Sequence, residues 1–276
     1  MENKNRYFNL YLVLVFAVLY APILYLMYYS FNSGGTMHRF EGFTLDYYRE
    51  VAEDKRLLII LINTLVIALL SSVAATIVAI AGALAIHRIR SRRAKNALLS
   101  LNNVLIVSPD VIIGASFLIL FTIVGVKLGF ASVLLSHIAF GIPIAVLMIL
   151  PHLEDMSPTL TDAARDLGAT KRDVLTKVIL PVIRPGIFSG FFMALTYSLD
   201  DFAVTFFVTG NGYSTLSVEI YSRARQGVSL SINALSTLIF LVTLALVVGY
   251  YILTRRRARK PGTAIAEPVA EAGVPR

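Results

Sequence analysis

The chain has 276 residues, 57% of them hydrophobic and 15% charged, with a net charge of +8 and a mean hydropathy of +0.73. Those values describe a polypeptide dissolved in lipid and exclude an ordinary water-soluble globule. The basic residues lie in short collars beside apolar stretches, which excludes a nucleic-acid surface, and the lack of cysteine excludes disulfides, thiolate metal sites and cysteine nucleophiles.

A helix needs about 20 apolar residues to cross a hydrocarbon core about 30 Å thick. The sequence predicts an all-α, polytopic protein with six such spans, over residues 8–30, 57–86, 98–124, 131–151, 186–208 and 231–254. The first runs past the length of a signal-peptide core and no small-x-small cleavage site follows, so it reads as a retained span. In the second, Ser71, Ala75, Ala79 and Ala83 share one face and allow close approach of a neighbouring helix.

Positive residues stay on the cytoplasmic side of short loops. Lys4 and Arg6 precede the first span, "HRIRSRRAKN" after the second has five basic residues and no acid, and "RRRARK" follows the sixth. The outer loop 31–56 balances Arg39, Arg49, Lys55 and Arg56 against five acids. Both termini are therefore expected in the cytoplasm. Residues 1–254 form one transmembrane domain, and 255–276 form a tail that lacks apolar periodicity and reads as disordered.

Within the third span, "VSPDVIIGASFLILF" has the chemistry of a helix start: Ser108 as a capping hydroxyl, Pro109 at the first position and Asp110 near the positive dipole end. A helix restarted at membrane depth is tolerated where its freed backbone faces protein or water. Asp110 either lines an internal cavity or caps its own helix.

The segment between spans four and five, "SPTLTDAARDLGATKRDVLTKVILPVIRPGI", reads as two short cytoplasmic helices. Ser157 and Pro158 start the first, Leu160, Ala163, Ala164 and Leu167 follow helical spacing, and Gly168 suits a left-handed terminator. Thr170 with Asp173 forms a capping box for the second, which presents Val174, Leu175, Val178 and Ile179 before Pro181 and Pro185 stop it. The pair is too polar to cross a bilayer; it either docks into something or is an ordinary surface hairpin, which periodicity alone would favour.

The fifth span, "TYSLDDFAVTFFVTG", carries Asp200 and Asp201. An Asp at a helix centre costs about 2.5 to 3.5 kcal/mol on insertion scales. On a continuous helix the two would diverge by about 100°, with Tyr197 between their faces. The acids either pair with basic residues of a partner subunit or line a pathway for cations, whose lost hydration carboxylates and the Tyr197 ring can replace.

"DAARDLGATKRDVLTKVILP" resembles the EAA loop of permease subunits of ATP-binding-cassette importers, written Glu-Ala-Ala, three residues, Gly, nine residues, Ile-x-Leu-Pro. Asp162, Ala163, Ala164, Gly168, Leu180 and Pro181 match in spacing; Asp162 replaces the usual Glu and Val178 the usual Ile. The resemblance covers nearly the whole chain. "IVSPDV", "LGFASVLLSHIAFGIPIAV" and "YSLDDFAVTFFVTG" are similar to permeases of the spermidine and putrescine type, although permeases for ferric iron and thiamine share parts of them.

The resemblance implies a type I importer permease in a bacterial inner membrane. It would form a heterodimer with a second permease, with two copies of a cytoplasmic ATPase and an extracytoplasmic binding protein that delivers substrate. Asp162, Ala163, Ala164, Gly168, Leu180 and Pro181 would then couple to the ATPase, and Asp110, Tyr197, Asp200 and Asp201 would line the substrate pathway.

No Gly-x-x-x-x-Gly-Lys-Ser/Thr phosphate loop occurs. The chain is therefore expected to bind no cofactor itself, with ATP and magnesium on the partner ATPase. His38, His87, His137 and His152 read as scattered among loops and span ends without metal-ligand spacing, and no Ser/His/Asp grouping stands out. No metal site and no intramembrane enzyme are expected. An ATP-independent channel or secondary transporter would also place acids in the membrane, but has no need of a coupling loop.

Overall fold

The computed structural model describes residues 2–226 and 230–258. Among them the regular structure is helical, apart from one isolated antiparallel bridge between Asn32 and Phe43. They divide into two compact units: the residues up to Val51 with those from Leu230 onward, and those within Ala52–Val228.

The first unit contains α1 (Glu2–Tyr29), α2 (Asp46–Glu53) and α12 (Leu230–Ala258). α1 packs on α12, with the Tyr20 and Phe240 rings edge-on at 6.4 Å. The turn after α1 is organised by the buried Asn32. Its amide donates to the carbonyls of Thr36 and Arg39, both at 2.7 Å, and its oxygen accepts from the amides of Gly34 and Glu41. Few local arrangements fix a chain reversal so completely, because every polar atom of the side chain is matched.

The second unit contains α3 (Lys55–Arg88), α4 (Arg92–Val107), α5 (Asp110–Val124), α6 (Phe130–Glu154), α7 (Pro158–Asp166), α8 (Lys171–Val182), α9 (Arg184–Asp200), α10 (Ala203–Val208) and α11 (Leu216–Gln226). α3, α6 and α9 pack together as its centre. The small-residue face predicted for α3 is buried there: Ala79 and Ala83 meet Ala145, Val146 and Ile149 of α6 in one apolar cluster that also takes in Ile183. Close backbone approach between such faces replaces the hydrophobic force that lipid does not supply. Asp54 caps α3 by accepting from the amides of Arg56 and Leu57. Arg223 donates to Asp54 at 2.9 Å and to Glu219 at 2.8 Å, tying α11 to that end and holding the Asp54 carboxyl below its ordinary pKa.

Phe8–Tyr29, Lys55–Arg88 and Phe130–Glu154 are each long and apolar enough to cross a membrane. α4 with α5, bent by 100°, and α8 with α9, bent by 66°, qualify as pairs, and α12 has a shorter apolar stretch, Leu230–Ala245. Helices thus occupy all six predicted stretches. The third and fifth differ from uninterrupted spans, however: one breaks between Val107 and Asp110, and the other between Asp200 and Ala203. The predicted tail after Ala258 lies outside the described residues.

α5 and α10 are held so close that only glycine fits between them. A Cβ on Gly114 would lie 2.8 Å from the Phe207 ring and 3.1 Å from the backbone of Ala203 and Val204. Gly114→Ala should therefore lower the melting temperature of the purified complex by several degrees, in line with an overpacking cost of about 1 to 3 kcal/mol. Gly82→Ala, whose Cβ would meet only a Val146 methyl at 3.6 Å, should leave it unchanged.

Candidate functional site: two broken helices and a solvent-facing helical pair

α4 ends at Ser108, whose hydroxyl donates back to the Val104 carbonyl at 2.6 Å. It does not cap α5, contrary to the expectation from sequence: a hydroxyl within reach of the preceding helical turn bonds that carbonyl instead. Pro109 precedes α5 with no side-chain cap, and Asp110 opens its first turn. Asp110 is solvent-accessible in this chain and accepts a hydrogen bond of 3.1 Å from the Tyr197 hydroxyl of α9. The two residues, 87 positions apart, are brought together.

The acids at Asp200 and Asp201 do not lie on one continuous helix. α9 ends at Asp200, because the Asp201 carboxylate turns inward to cap α10, accepting from the amides of Val204 (3.3 Å) and Thr205 (2.8 Å) and from the Thr205 hydroxyl (2.6 Å). A carboxylate that receives backbone amides at a helix start is more stable there than at a helix centre. Asp201 is consequently 8% exposed whereas Asp200 is open, so the pair separates in environment as well as direction. Tyr197 does not stand between them; it reaches Asp110. The predicted pathway residues thus resolve into an accessible set, Asp110, Tyr197 and Asp200, and an internal Asp201.

His137 is neither in a loop nor at a span end. It sits inside α6, 1% exposed, with Nδ1 2.6 Å from the Ser198 hydroxyl and Nε2 2.8 Å from the Thr205 hydroxyl and 3.5 Å from Asp201. A Ser/His/Asp grouping therefore does exist, although sequence reasoning found none. It has no hydrolytic geometry: Ser198 is buried and shared with Ser71 at 3.1 Å, so no reacting carbonyl can approach its oxygen. The available signal was a histidine well inside an apolar span. Among the described residues no group of three or more His, Asp or Glu is placed to hold a metal.

The helical pair between α6 and α9 forms as predicted at its turn. Ser157 and Pro158 start α7, and Gly168 has φ of +80° with open space where a Cβ would go. The Thr170–Asp173 capping box opens α8. Asp162 and Ala163 are exposed, Ala164 is half-buried, and Leu167 is 88% exposed although apolar. Leu180 packs against the central cluster, fixing the far end of the pair to the bundle.

Pro181 does not stop α8. Its missing amide is absorbed by a π-helical stretch, Val174–Ile179, in which the Leu180 amide reaches the Leu175 carbonyl, and the helix runs on to Val182 before bending at Ile183. Widening by one residue lets a helix pass a proline without an orphaned group.

The bundle thus combines accessible acids at its broken helices with exposed apolar residues, Leu160 and Leu167, on α7 and its turn. Residues 75–260 match the family described as binding-protein-dependent transport system inner membrane components, and the chain belongs to that family. It is 36% identical over 254 residues to the spermidine/putrescine transport system permease protein PotC of Haemophilus influenzae, covering 91% of this chain and 98% of that protein. It is 33% identical over 256 residues to the putrescine transport system permease protein PotI of Escherichia coli K12, covering 90% and 91%. In fold it is similar to a chain of a bacterial ABC transporter that imports the acidic polysaccharide alginate (TM-score 0.68, 17% identity, 92% and 96% covered). It is also similar in fold to a chain of the MetNI methionine ABC transporter (TM-score 0.57, 18% identity, 74% and 98% covered).

The Asp173 carboxyl is pulled down to about 2 by the Lys177 ammonium and by Thr170. A carboxyl depressed on folding stabilises above its ordinary value of 3.8 and loses that contribution as pH falls toward about 2. Deuterium exchange at the α8 start, taken relative to the rate of an unstructured peptide at the same pH, should therefore be slow at neutral pH and accelerate across that window. Thr170→Ala should accelerate it several-fold already at pH 7, whereas Thr170→Ser should not.

Proposed function

We propose that this chain is the permease subunit of an ATP-driven importer that passes polyamines of the spermidine and putrescine type across the bacterial inner membrane. It pairs with a second permease to enclose the pathway. An extracytoplasmic binding protein delivers the substrate, and two copies of a cytoplasmic ATPase drive the cycle through the α7–α8 pair. Both termini face the cytoplasm.

The observation that carries this reading is the Asp110–Tyr197 contact, which places a carboxylate and an aromatic hydroxyl at the break between α4 and α5. Accessible Asp200 ends α9, the helix that carries Tyr197. An ammonium leaving water needs replacement ligands, and anionic oxygens beside an aromatic face supply them. The set is small and open, as suits a conduit that must release what it admits. The similarity to PotC and PotI over nine-tenths of the chain supports the same class of cargo.

The direct test is uptake of radiolabelled putrescine and spermidine by the complete complex, which should require ATP. Asp110→Asn and Asp200→Asn keep shape and remove charge, and each should lower the uptake rate at least about tenfold while the subunits still copurify. Undiminished uptake in both would refute the pathway reading. Because the chain has no cysteine, Ser33→Cys and Ser214→Cys should react with an impermeant maleimide from outside, and Ser91→Cys and Ser157→Cys should not. Gly168→Val should impair uptake and ATPase recruitment together, since a β-branched residue is strained at positive φ.

A further inference from the structure

The break between α9 and α10 is held by more hydrogen bonds than two helix ends need. Thr205 donates to the Asp201 carboxylate, so its oxygen is left to accept from His137 Nε2–H; the other ring nitrogen, Nδ1, then accepts from Ser198, whose oxygen is free for Ser71. The chain of donors runs in one direction and ends on a carboxylate, which only accepts. It joins α3, α6, α9 and α10. Ser217 of α11 adds a bond of 2.6 Å to the Asp201 carbonyl.

Asp200 stands inside this clamp without belonging to it. Ser198, two residues before, and Asp201, one after, are both fixed through His137, while Asp200 itself remains accessible. On its other side the His137 ring lies 4.8 Å from Phe140, and Phe140 lies 5.3 Å from Tyr197, the residue that bonds Asp110. One buried imidazole thus stands behind both accessible acids.

We propose that His137, with Thr205 and Asp201, is a positioning group: it touches no cargo, and it aims Asp200 and the Tyr197–Asp110 pair into the pathway. The inference rests on the polyamine-permease reading above. In buried networks an unsatisfied polar group is costly and a satisfied one is rigid, so loss of one link should appear as misplacement of Asp200 before it appears as unfolding.

The test is a double-mutant cycle in the complete transporter. Thr205→Val is isosteric and removes the hydroxyl that bridges His137 and Asp201, leaving only their direct contact of 3.5 Å. It should lower uptake about tenfold with copurification intact, and Thr205→Ser should restore it to within about twofold. Combined with Asp200→Asn it should add less than about twofold to the defect of Asp200→Asn alone, because groups acting through one another are not additive. Full multiplication of the two defects, unaltered uptake in Thr205→Val, or failure of Thr205→Ser to rescue would overturn the proposal. If Thr205→Val does not assemble, His137→Asn replaces it in the cycle, and loss of assembly in both assigns the network to folding alone.

A second readout does not depend on cargo. Asp200→Cys gives this chain a single thiol, whose reaction rate with a cationic methanethiosulfonate should fall at least about fivefold when Thr205→Val is added and recover with Thr205→Ser. An unaltered complex that carries neither polyamine defeats the functional reading, and the thiol rates then decide the positioning role: a fall with recovery sustains it, and equal rates overturn it.

Discussion

In hydrocarbon no water is available to a freed amide or carbonyl, so each break in a membrane helix must be closed by the protein itself. The second unit is organised around that requirement. Where α9 gives way to α10, the Asp201 carboxylate takes the first amides of the new helix and Ser217 donates to the Asp201 carbonyl. Where α4 gives way to α5, Ser108 closes onto the turn behind it and Pro109 has no amide to satisfy. At the first break the freed groups are matched by side chains, whereas at the second no side chain caps α5; each leaves one carboxylate over, Asp200 at the first and Asp110 at the second.

The same requirement explains why adjacent aspartates have opposite fates. Two carboxylates facing lipid would oppose insertion by roughly 5 to 7 kcal/mol. One of them is converted into a cap, where amide hydrogens and the helix dipole offset its charge. The other stays accessible and requires water, a cation or a partner chain beside it. Insertion of the motif is therefore least costly where one of these stands beside Asp200.

Features with local causes were legible in the sequence. The α7 start at Ser157–Pro158, the positive φ at Gly168 and the Thr170–Asp173 box each depend on residues within four positions, and they form as read. The buried face Ser71, Ala75, Ala79 and Ala83 was also legible, since periodicity reports it directly. Long-range partners were not. Ser108 was assigned forward to α5 because its competing acceptor, the Val104 carbonyl, becomes visible only once α4 is known to be helical up to it. Asp201 was placed on a continuous helix because the apolar run from Ala203 onward masks a start signal: an acid three and four residues ahead of the amides it caps. His137 could not be connected with Ser198 and Thr205, 61 and 68 residues away, without tertiary structure.

The junction at Ile183 has a mechanical consequence. α8 passes into α9 through this single residue, which is fully buried in the central cluster, so no slack loop separates the solvent-facing pair from the helix that ends at Asp200. α9 has 17 residues and is therefore about 25 Å long. With Ile183 as fulcrum, a tilt of α8 by a few degrees becomes a displacement of an ångström or so, on the order of a hydrogen-bond tolerance, at the far tip of the rod. The π-helical turn beside the fulcrum is where α8 departs from regular helical register, so it sets how much of a displacement of α8 reaches the tip of α9.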